Sequence, residues 1–255
     1  MYVEERQEAI AVLVRSRGRV GVTDVAARFG VTTETVRRDL AALERMGVVR
    51  RVHGGAVPTA ALSVVEPGVA ERDTTQAQQK ERIARAALDL VPPAGGSVLL
   101  DGGTTTGRLA RLLPVDRDLV VLTNSVPAAA LLAGLAGVRL HLLGGRVRGV
   151  TQTAVGEETV RALRDVRVDV VFLGTNAVSG DHGLSTPDPD EAAVKRAMVA
   201  AGQRVVALAD SSKVGREHLF RFAALDQVDV LVTDDDLDES VHQDLTARDL
   251  EVVLA

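Results

Sequence analysis

The chain has 255 residues, 46% hydrophobic and 25% charged, with no cysteine and only 2% aromatic residues. Such a composition makes a globular protein of one large or two smaller domains. It excludes a disulfide scaffold, a thiolate metal or redox centre, and an aromatic platform for stacking single-stranded nucleic acid. The net charge of -5 is unevenly spread: residues 1–57 hold ten arginines against seven acids, while the rest is acidic. A basic head on an acidic body concentrates phosphate affinity on one face.

Met1 to Ile10 carries Glu4, Glu5 and Glu8 before any apolar run, which is not a secretory pattern. Leu119 to Val138 is uncharged, but Thr123-Asn124-Ser125 and Pro127 interrupt it, so it reads as strand, turn and helix rather than a membrane span. The expectation is a cytoplasmic protein with no membrane partner.

Three short helical patterns open the chain. The first, about Glu4 to Ser16, gathers Ile10, Leu13 and Val14 and ends at Gly18. The second, about Val22 to Phe29, repeats Val22, Val25, Ala26 and Phe29 and stops at Gly30. The third starts at Thr32 or Thr33, which are good N-caps, and carries Val36, Leu40 and Leu43 as its buried stripe, with Gly47 as terminator. Two helices across a glycine turn, the second bearing paired arginines, predict a helix-turn-helix. The first turns of its second helix hold Thr33, Glu34, Thr35, Arg37 and Arg38, which supply hydroxyls, a carboxylate and guanidinium forks for bases or phosphates. Apolar runs flanking His53-Gly54-Gly55 then predict a hairpin wing, with Arg50, Arg51 and His53 beside the DNA backbone or minor groove. The stretch "TTETVRRDLAALERMGVVRRVHGG", and the whole head around it, resembles the N-terminal domain of the DeoR family of bacterial transcription regulators.

Residues 58–73, with two prolines and little periodicity, read as a linker between a head of residues 1–57 and a body of residues 74–255. In the body, seven short apolar runs predict strands at 98–100, 119–122, 140–143, 168–173, 205–209, 228–232 and 252–254. Helical patterns fall near 106–113, 126–135, 157–164, 189–201 and 237–245. The alternation predicts a mainly parallel α/β sheet covered on both faces, with ligands bound beyond the carboxyl ends of its strands. Polar turns follow five of these runs: Asp101-Gly102-Gly103-Thr104-Thr105-Thr106, Thr123-Asn124-Ser125, Gly144-Gly145-Arg146, Gly174-Thr175-Asn176 and Asp210-Ser211-Ser212-Lys213. Glycines, hydroxyls and a helix N-terminus in one crevice suit a phosphate. Neither GxxxxGK[ST] nor GxGxxG occurs, so ATP- and NAD-type sites are not supported and no cofactor is expected. The five histidines lack metal-ligand spacing, so no metal is expected either.

Lysine occurs only at positions 80, 195 and 213. Each is either an ordinary surface cation or a site where a compact ammonium is wanted. Asp188-Pro189-Asp190-Glu191 reads as a capped helix start, and Glu191 with Lys195 as an i,i+4 pair, which would explain both without a ligand.

The blocks "LLDGGTTTGRLARLL", "VLTNSVP", "LHLLGGRVRG", "VFLGTN", "GLSTPDPDEAAVKRAMV" and "LADSSKVG" resemble the sensor domain of the same family, itself similar to ribose-5-phosphate isomerase. The resemblance implies a winged helix-turn-helix domain joined to a larger α/β sugar-phosphate sensor. Its partners would be double-stranded operator DNA and a phosphorylated sugar, and it would act as a homo-oligomer. It further implies that Gly103, Thr104, Thr105 and Thr106, in the turn opened by Asp101, hold the effector phosphate, and that Asn124, Arg146, Asn176, Lys195 and Lys213 line the sugar side. "GGRVRG", "VDVVFLGTN" and "STPDPDEAAVKRAMVAA" look closest to actinobacterial repressors of fructose operons, implying fructose 1-phosphate. Ala177 stands where such regulators have Gly, so its methyl group is expected to reshape the pocket. An isomerase-like enzyme is the alternative, with Asp101, Asp181 or Asp210 as base. Against it, the turn after the fourth strand, residues 174–177, carries no acid, so the reading is a repressor without catalytic residues.

Overall fold

The three helical stripes at the start of the chain close on one another. A computed structural model describes residues 3–17, 20–46, 48–52, 54–58 and 66–255. It forms α1 (Val3–Arg17), β1 (Val20–Gly21), α2 (Val22–Phe29), α3 (Thr33–Arg45), β2 (Val49–Val52) and β3 (Gly55–Pro58). Ile10, Val14, Val25, Val36, Leu40 and Leu43 share one core. Thr32 caps α3 by accepting from the Thr35 amide at 3.2 Å, and Gly30 ends α2 in the left-handed region at φ 64°. An ion pair the spacing does not show, Arg6 Nε to Asp39 Oδ2 at 2.6 Å, ties α1 to α3. β2 and β3 form the expected antiparallel hairpin, and β1 adds to β3 as a third strand. β1 can come that close because residue 55 is glycine: a side chain there would collide with the Val20 carbonyl. Gly18, Gly47 and His53 lie outside the described residues.

The body begins with α4 (Val69–Thr74) and α5 (Ala77–Ala86), followed by β4 (Ser97–Leu100), α6 (Thr104–Leu112), β5 (Leu119–Thr123), α7 (Val126–Leu132) and β6 (Val138–Leu142). Then come β7 (Arg146–Arg148), β8 (Thr153–Val155), α8 (Glu157–Leu163), β9 (Val168–Gly174), β10 (Ala177–Ser179) and β11 (Gly183–Thr186). α9 (Pro189–Ala201), β12 (Gly202–Leu208), β13 (Phe220–Ala223), β14 (Val230–Thr233), α10 (Glu239–Thr246) and β15 (Glu251–Leu254) complete it.

The seven predicted apolar runs become one parallel sheet in the order β15-β14-β12-β9-β4-β5-β6. Val98, Leu99 and Leu100 are wholly buried, as strands covered on both faces require. Ile83, Leu109 and Leu132 pack on one face, and Leu163, Met198 and Leu245 on the other. The chain runs outward from β4 to β6, then returns to lay β9 against the other side of β4. The order therefore reverses between β4 and β9, and a crevice opens beyond their carboxyl ends.

Two small additions surround that crevice. β7 and β8 form an antiparallel hairpin, and β10, β11 and β13 form a second sheet in the order β10-β11-β13. Part of the expected linker also belongs to the body. Glu66 is 4% exposed and pairs with Arg148 at 2.5 Å, while Arg108 on α6 holds Asp73 at 2.5 Å. Residues 66–74 are therefore bound by charge, which a reading of apolar periodicity does not register. None of the helices is long and apolar enough to cross a membrane, among the described residues.

Candidate functional site

A cavity of about 270 Å³ lies in the crevice, at the small end of the range for metabolite sites. Its floor is the reversal point. Lys195 on α9 crosses to Asp101 after β4 and donates to the Gly174 carbonyl at 2.9 Å, while the Gly174 amide donates to Asp101 at 3.0 Å. The Lys195 ammonium also lies 5.4 Å from the centre of the Phe222 ring. These contacts use two of its three donors and leave one for a ligand.

The turn between β4 and α6 forms one wall through Gly102, Gly103, Thr104 and Thr105. Gly103 is the N-cap of α6 and offers no side chain, so the first amides of the helix have no side-chain acceptor. A side chain on Gly102 would collide with Thr153, and the Gly102 amide is held by Asn124 Oδ1 at 3.2 Å.

The rest of the lining is rich in charge, with the acids Glu66, Glu71, Glu191 and Asp210 among further cations. Lys80, Lys213, Arg72 and Arg216 all line the cavity. Lys80 is 3% exposed and donates to the carbonyls of Arg72 and Thr75. Burial, with Lys213 next in effect and Asp210 opposing, pushes its ammonium down to about 8. Burial likewise lowers Lys213, partly offset by Asp210, and Lys213 donates to the Thr175 carbonyl at 2.8 Å. The Arg216 guanidinium is also lowered by burial. Arg72 pairs with Glu66 at 3.5 Å, yet its Nε and Nη2 are buried without a hydrogen-bond partner. Cations that depress one another in a recess bind a multiply charged anion well, because the anion restores the field that burial removed.

The predicted effector residues divide. Gly103, Thr104, Thr105, Asn176, Lys195 and Lys213 line the cavity, and Asp101 supports it from beneath Lys195. Three others, like Asp101, do not line it. Thr106 is wholly buried and donates back to the Gly103 carbonyl at 3.1 Å. Asn124 is spent bracing Gly102 and donating to the Ala154 carbonyl at 3.1 Å. Arg146 points to solvent, 64% exposed, and pairs with Asp190 at 2.5 Å.

Other expectations also change. The Ala177 methyl is wholly buried in β10 and is not part of the cavity wall. Asp188 does cap α9, accepting from the Glu191 amide at 2.9 Å, but the i,i+4 pair is not made. Glu191 turns to Arg148 at 3.3 Å and Lys195 turns to Asp101, because both face inward and find buried partners. Of the bases considered for an enzyme, Asp101 is bound to Lys195, Asp210 faces Lys213 at 3.8 Å, and Asp181 is 87% exposed beside Arg248. The sequence reading missed Glu66, Arg72, Arg216 and His218, all of which line the cavity. Lys80, expected as either a surface cation or a site residue, lines the cavity. Its rarity was the one signal; Glu66 and Arg72 lay in a stretch with no periodicity to mark them.

On the head, Arg37 and Arg38 are 61% and 81% exposed and share Glu34 at 3.6 and 4.0 Å. Such exposed pairs cost little to open. Thr33 and Thr35 are half-buried in the same first turns. Arg51 pairs with Glu44 at 3.8 Å, and Arg50 reaches Glu217 of the body at 3.4 Å.

Two family models match this chain: a DeoR-like helix-turn-helix domain over residues 6–60 and the DeoR C-terminal sensor domain over residues 75–235. The chain is 34% identical over 251 residues to a putative aga operon transcriptional repressor of Escherichia coli O157:H7, covering 98% of this chain and 93% of that protein. It is 35% identical over 245 residues to the lactose phosphotransferase system repressor of Streptococcus mutans, covering 95% and 96%. It is 31% identical over 250 residues to the glycerol-3-phosphate regulon repressor of Escherichia coli K12, covering 98% of each. Among solved structures, ribose 5-phosphate isomerase of Methanocaldococcus jannaschii matches 55% of each chain at 19% identity with a TM-score of 0.40.

Proposed function

This chain belongs to the DeoR family of transcription regulators, and we propose that it represses a fructose-utilisation operon and is released from its operator by fructose 1-phosphate. The observation that carries the sugar-phosphate part is the cluster of basic side chains, Lys80, Lys213, Arg72 and Arg216, lining a cavity of about 270 Å³, with two Arg72 donors left unpaired. A phosphate dianion takes the charge of Lys80, Lys213 and Arg72, while Thr104, Thr105, Asn176 and the free Lys195 donor suit the hydroxyls of a small sugar. In this reading the phosphate sits toward the lysines, and the glycine–threonine turn, where the resemblance puts it, serves the sugar. The named relatives act on the aga operon, the lactose phosphotransferase system and the glycerol-3-phosphate regulon, so carbohydrate-derived phosphates are the class to screen. Fructose 1-phosphate heads the list on the strength of the sequence blocks in the body. In this reading Thr33, Glu34, Thr35, Arg37 and Arg38 face the major groove, Arg50, Arg51 and His53 the backbone or minor groove, and paired heads of an oligomer read repeated half-sites.

The test is a thermal-shift series on the full chain with fructose 1-phosphate, fructose 6-phosphate, glycerol 3-phosphate and inorganic phosphate. It is repeated with a DNA duplex that the protein has enriched from a random pool. Fructose 1-phosphate should raise the melting temperature most and weaken duplex binding. No shift with any sugar phosphate would remove the sensor reading; a larger shift with another one would reassign the sugar.

A further inference from the structure

Two clefts separate the head from the body, and in both a basic, DNA-facing surface meets an acidic one. The first, about 500 Å³, has Arg50 and Arg51 on one side and, on the other, Glu217 together with Asp181 and Asp244, which share Arg248 at 3.5 Å each. The second, about 680 Å³, sets Thr33 and Arg37 of α3 opposite Asp238 and Glu239 at the start of α10. One direct tie between the two bodies is the Arg50–Glu217 pair at 3.4 Å, with the two side chains 45% and 24% exposed. Glu217 is held for this contact by Ser179, whose hydroxyl donates to it at 3.0 Å. A guanidinium that faces this carboxylate is withheld from a DNA phosphate.

The segment carrying Glu217 has a second face. Residues 213–218 run between the effector cavity and the first cleft: Lys213, Arg216 and His218 line the cavity, while Val214, Gly215 and Glu217 line the cleft. Its anchors are the Gly215 amide to the Val178 carbonyl at 2.7 Å and the His218 amide to Ser185 Oγ at 2.8 Å. A single short stretch of backbone is thus the shared wall of both spaces. A ligand that repositions Lys213, Arg216 or His218 acts on the same peptide units that aim Glu217.

We propose that the acidic face formed by Glu217, Asp238, Glu239 and Asp244 is a docking surface for the DNA-reading face of the protein's own head, and that residues 213–218 tie its occupancy to the effector cavity. The docked and DNA-bound arrangements then compete for Arg50 and Arg37. An effector that favours docking lowers DNA affinity without touching DNA. The proposal rests on the assignment of α3 and the wing as the DNA-reading elements.

The test compares the full-length chain with its Glu217→Gln variant, using fluorescence anisotropy on the enriched duplex at fixed salt and without ligand. Glu217→Gln keeps the shape and the Ser179 contact but drops the charge. It should bind the duplex about two- to fivefold more tightly, the scale of one partly exposed ion pair. Because the chain has no cysteine, an Arg50→Cys/Glu217→Cys variant can be bridged at that pair alone with a short bismaleimide. Bridging should abolish duplex binding relative to the same variant unbridged. Equal or weaker binding by Glu217→Gln, or undiminished binding after bridging, overturns the proposal. Failure of the DNA-reading assignment shows separately, as Arg37→Ala binding the duplex like the unsubstituted chain. Failure of the effector reading shows as a duplex affinity that ignores fructose 1-phosphate, which the ligand-free comparison does not involve.

Discussion

Lys80 carries the most informative charge in the cavity. Burial holds its ammonium near 8, and Lys213 and Arg72 push in the same direction. A lysine depressed on folding disfavours the folded state while it is charged, and this penalty fades as pH rises from about 8 toward its ordinary value. Ligand binding has the opposite slope. A phosphate beside Lys80 favours the ammonium, so binding draws in a proton once the free protein has begun to lose it. Effector affinity should hold between about pH 7, above the second phosphate pKa of about 6, and pH 8, then fall between about pH 8 and 10, and calorimetry at pH 8.5 in two buffers of different ionisation enthalpy should register net proton uptake. Lys80→Met should flatten that profile and lower effector affinity at pH 7 by about tenfold or more, the scale of one charge-assisted hydrogen bond. A profile unchanged by the substitution would place the anion elsewhere. Arg146→Ala supplies the contrast: its guanidinium faces solvent and Asp190, so it should leave effector affinity unchanged.

The seven apolar runs that read as strands are the seven strands of the main sheet: the central ones are buried on both faces and so apolar at nearly every position, while the edge strands β6 and β15 are only partly covered. The helices of the head were legible from stripes such as Val36, Leu40 and Leu43, and α3 from its threonine cap. Thr32→Ala should therefore cost the head about 1 kcal/mol, read as a lower melting temperature, with a matching loss of duplex binding if α3 frays at its DNA-reading end. What stayed illegible has no period. β7, β8, β10 and β11 are three or four residues each, and α4 exposes all of its apolar positions to some degree. The strap from Glu66 to Thr75 is fixed by Arg148, Asn176 and Arg108, partners that only the folded chain brings near. The turns after β4, β9 and β12 were recognisable as a crevice, yet those after β5 and β6 looked equally polar. Chemistry in a turn does not say which way its side chains face, which is why Asn124 and Arg146 read like ligand residues. Ala177 makes the same point, with a test attached. Its methyl group packs inside β10 at no exposure, so Ala177→Gly should destabilise the body by about 1 kcal/mol while leaving effector affinity within twofold of the unsubstituted chain. A marked change in sugar preference would show instead that residue 177 acts on the pocket.

The division of charge between head and body has a consequence for DNA binding by the whole protein. Residues 1–57 carry a net +3 within a chain of -5, so the body is repelled by a duplex and phosphate contacts must come from a few exposed arginines. Arg37 and Arg38 are readily available, since their partner Glu34 is itself 63% exposed and holds both weakly. Each phosphate neutralised releases counterions and contributes about -0.9 to the slope of log affinity against log salt concentration. If Arg38 meets a phosphate, Arg38→Ala should weaken binding to every duplex alike and reduce the slope by about 1. If Arg37 reads a base edge, Arg37→Ala should weaken the enriched duplex by about 1–3 kcal/mol while sparing unrelated duplexes. Measuring both variants from 50 to about 300 mM salt on enriched and scrambled duplexes separates the two roles. Unchanged slopes and affinities in both would remove α3 from the interface. Charges on the body should show the opposite sign: Asp238→Asn/Glu239→Gln lies outside the head, and lowering the body's repulsion should tighten binding to both duplexes, most at low salt, where surface charges are least screened.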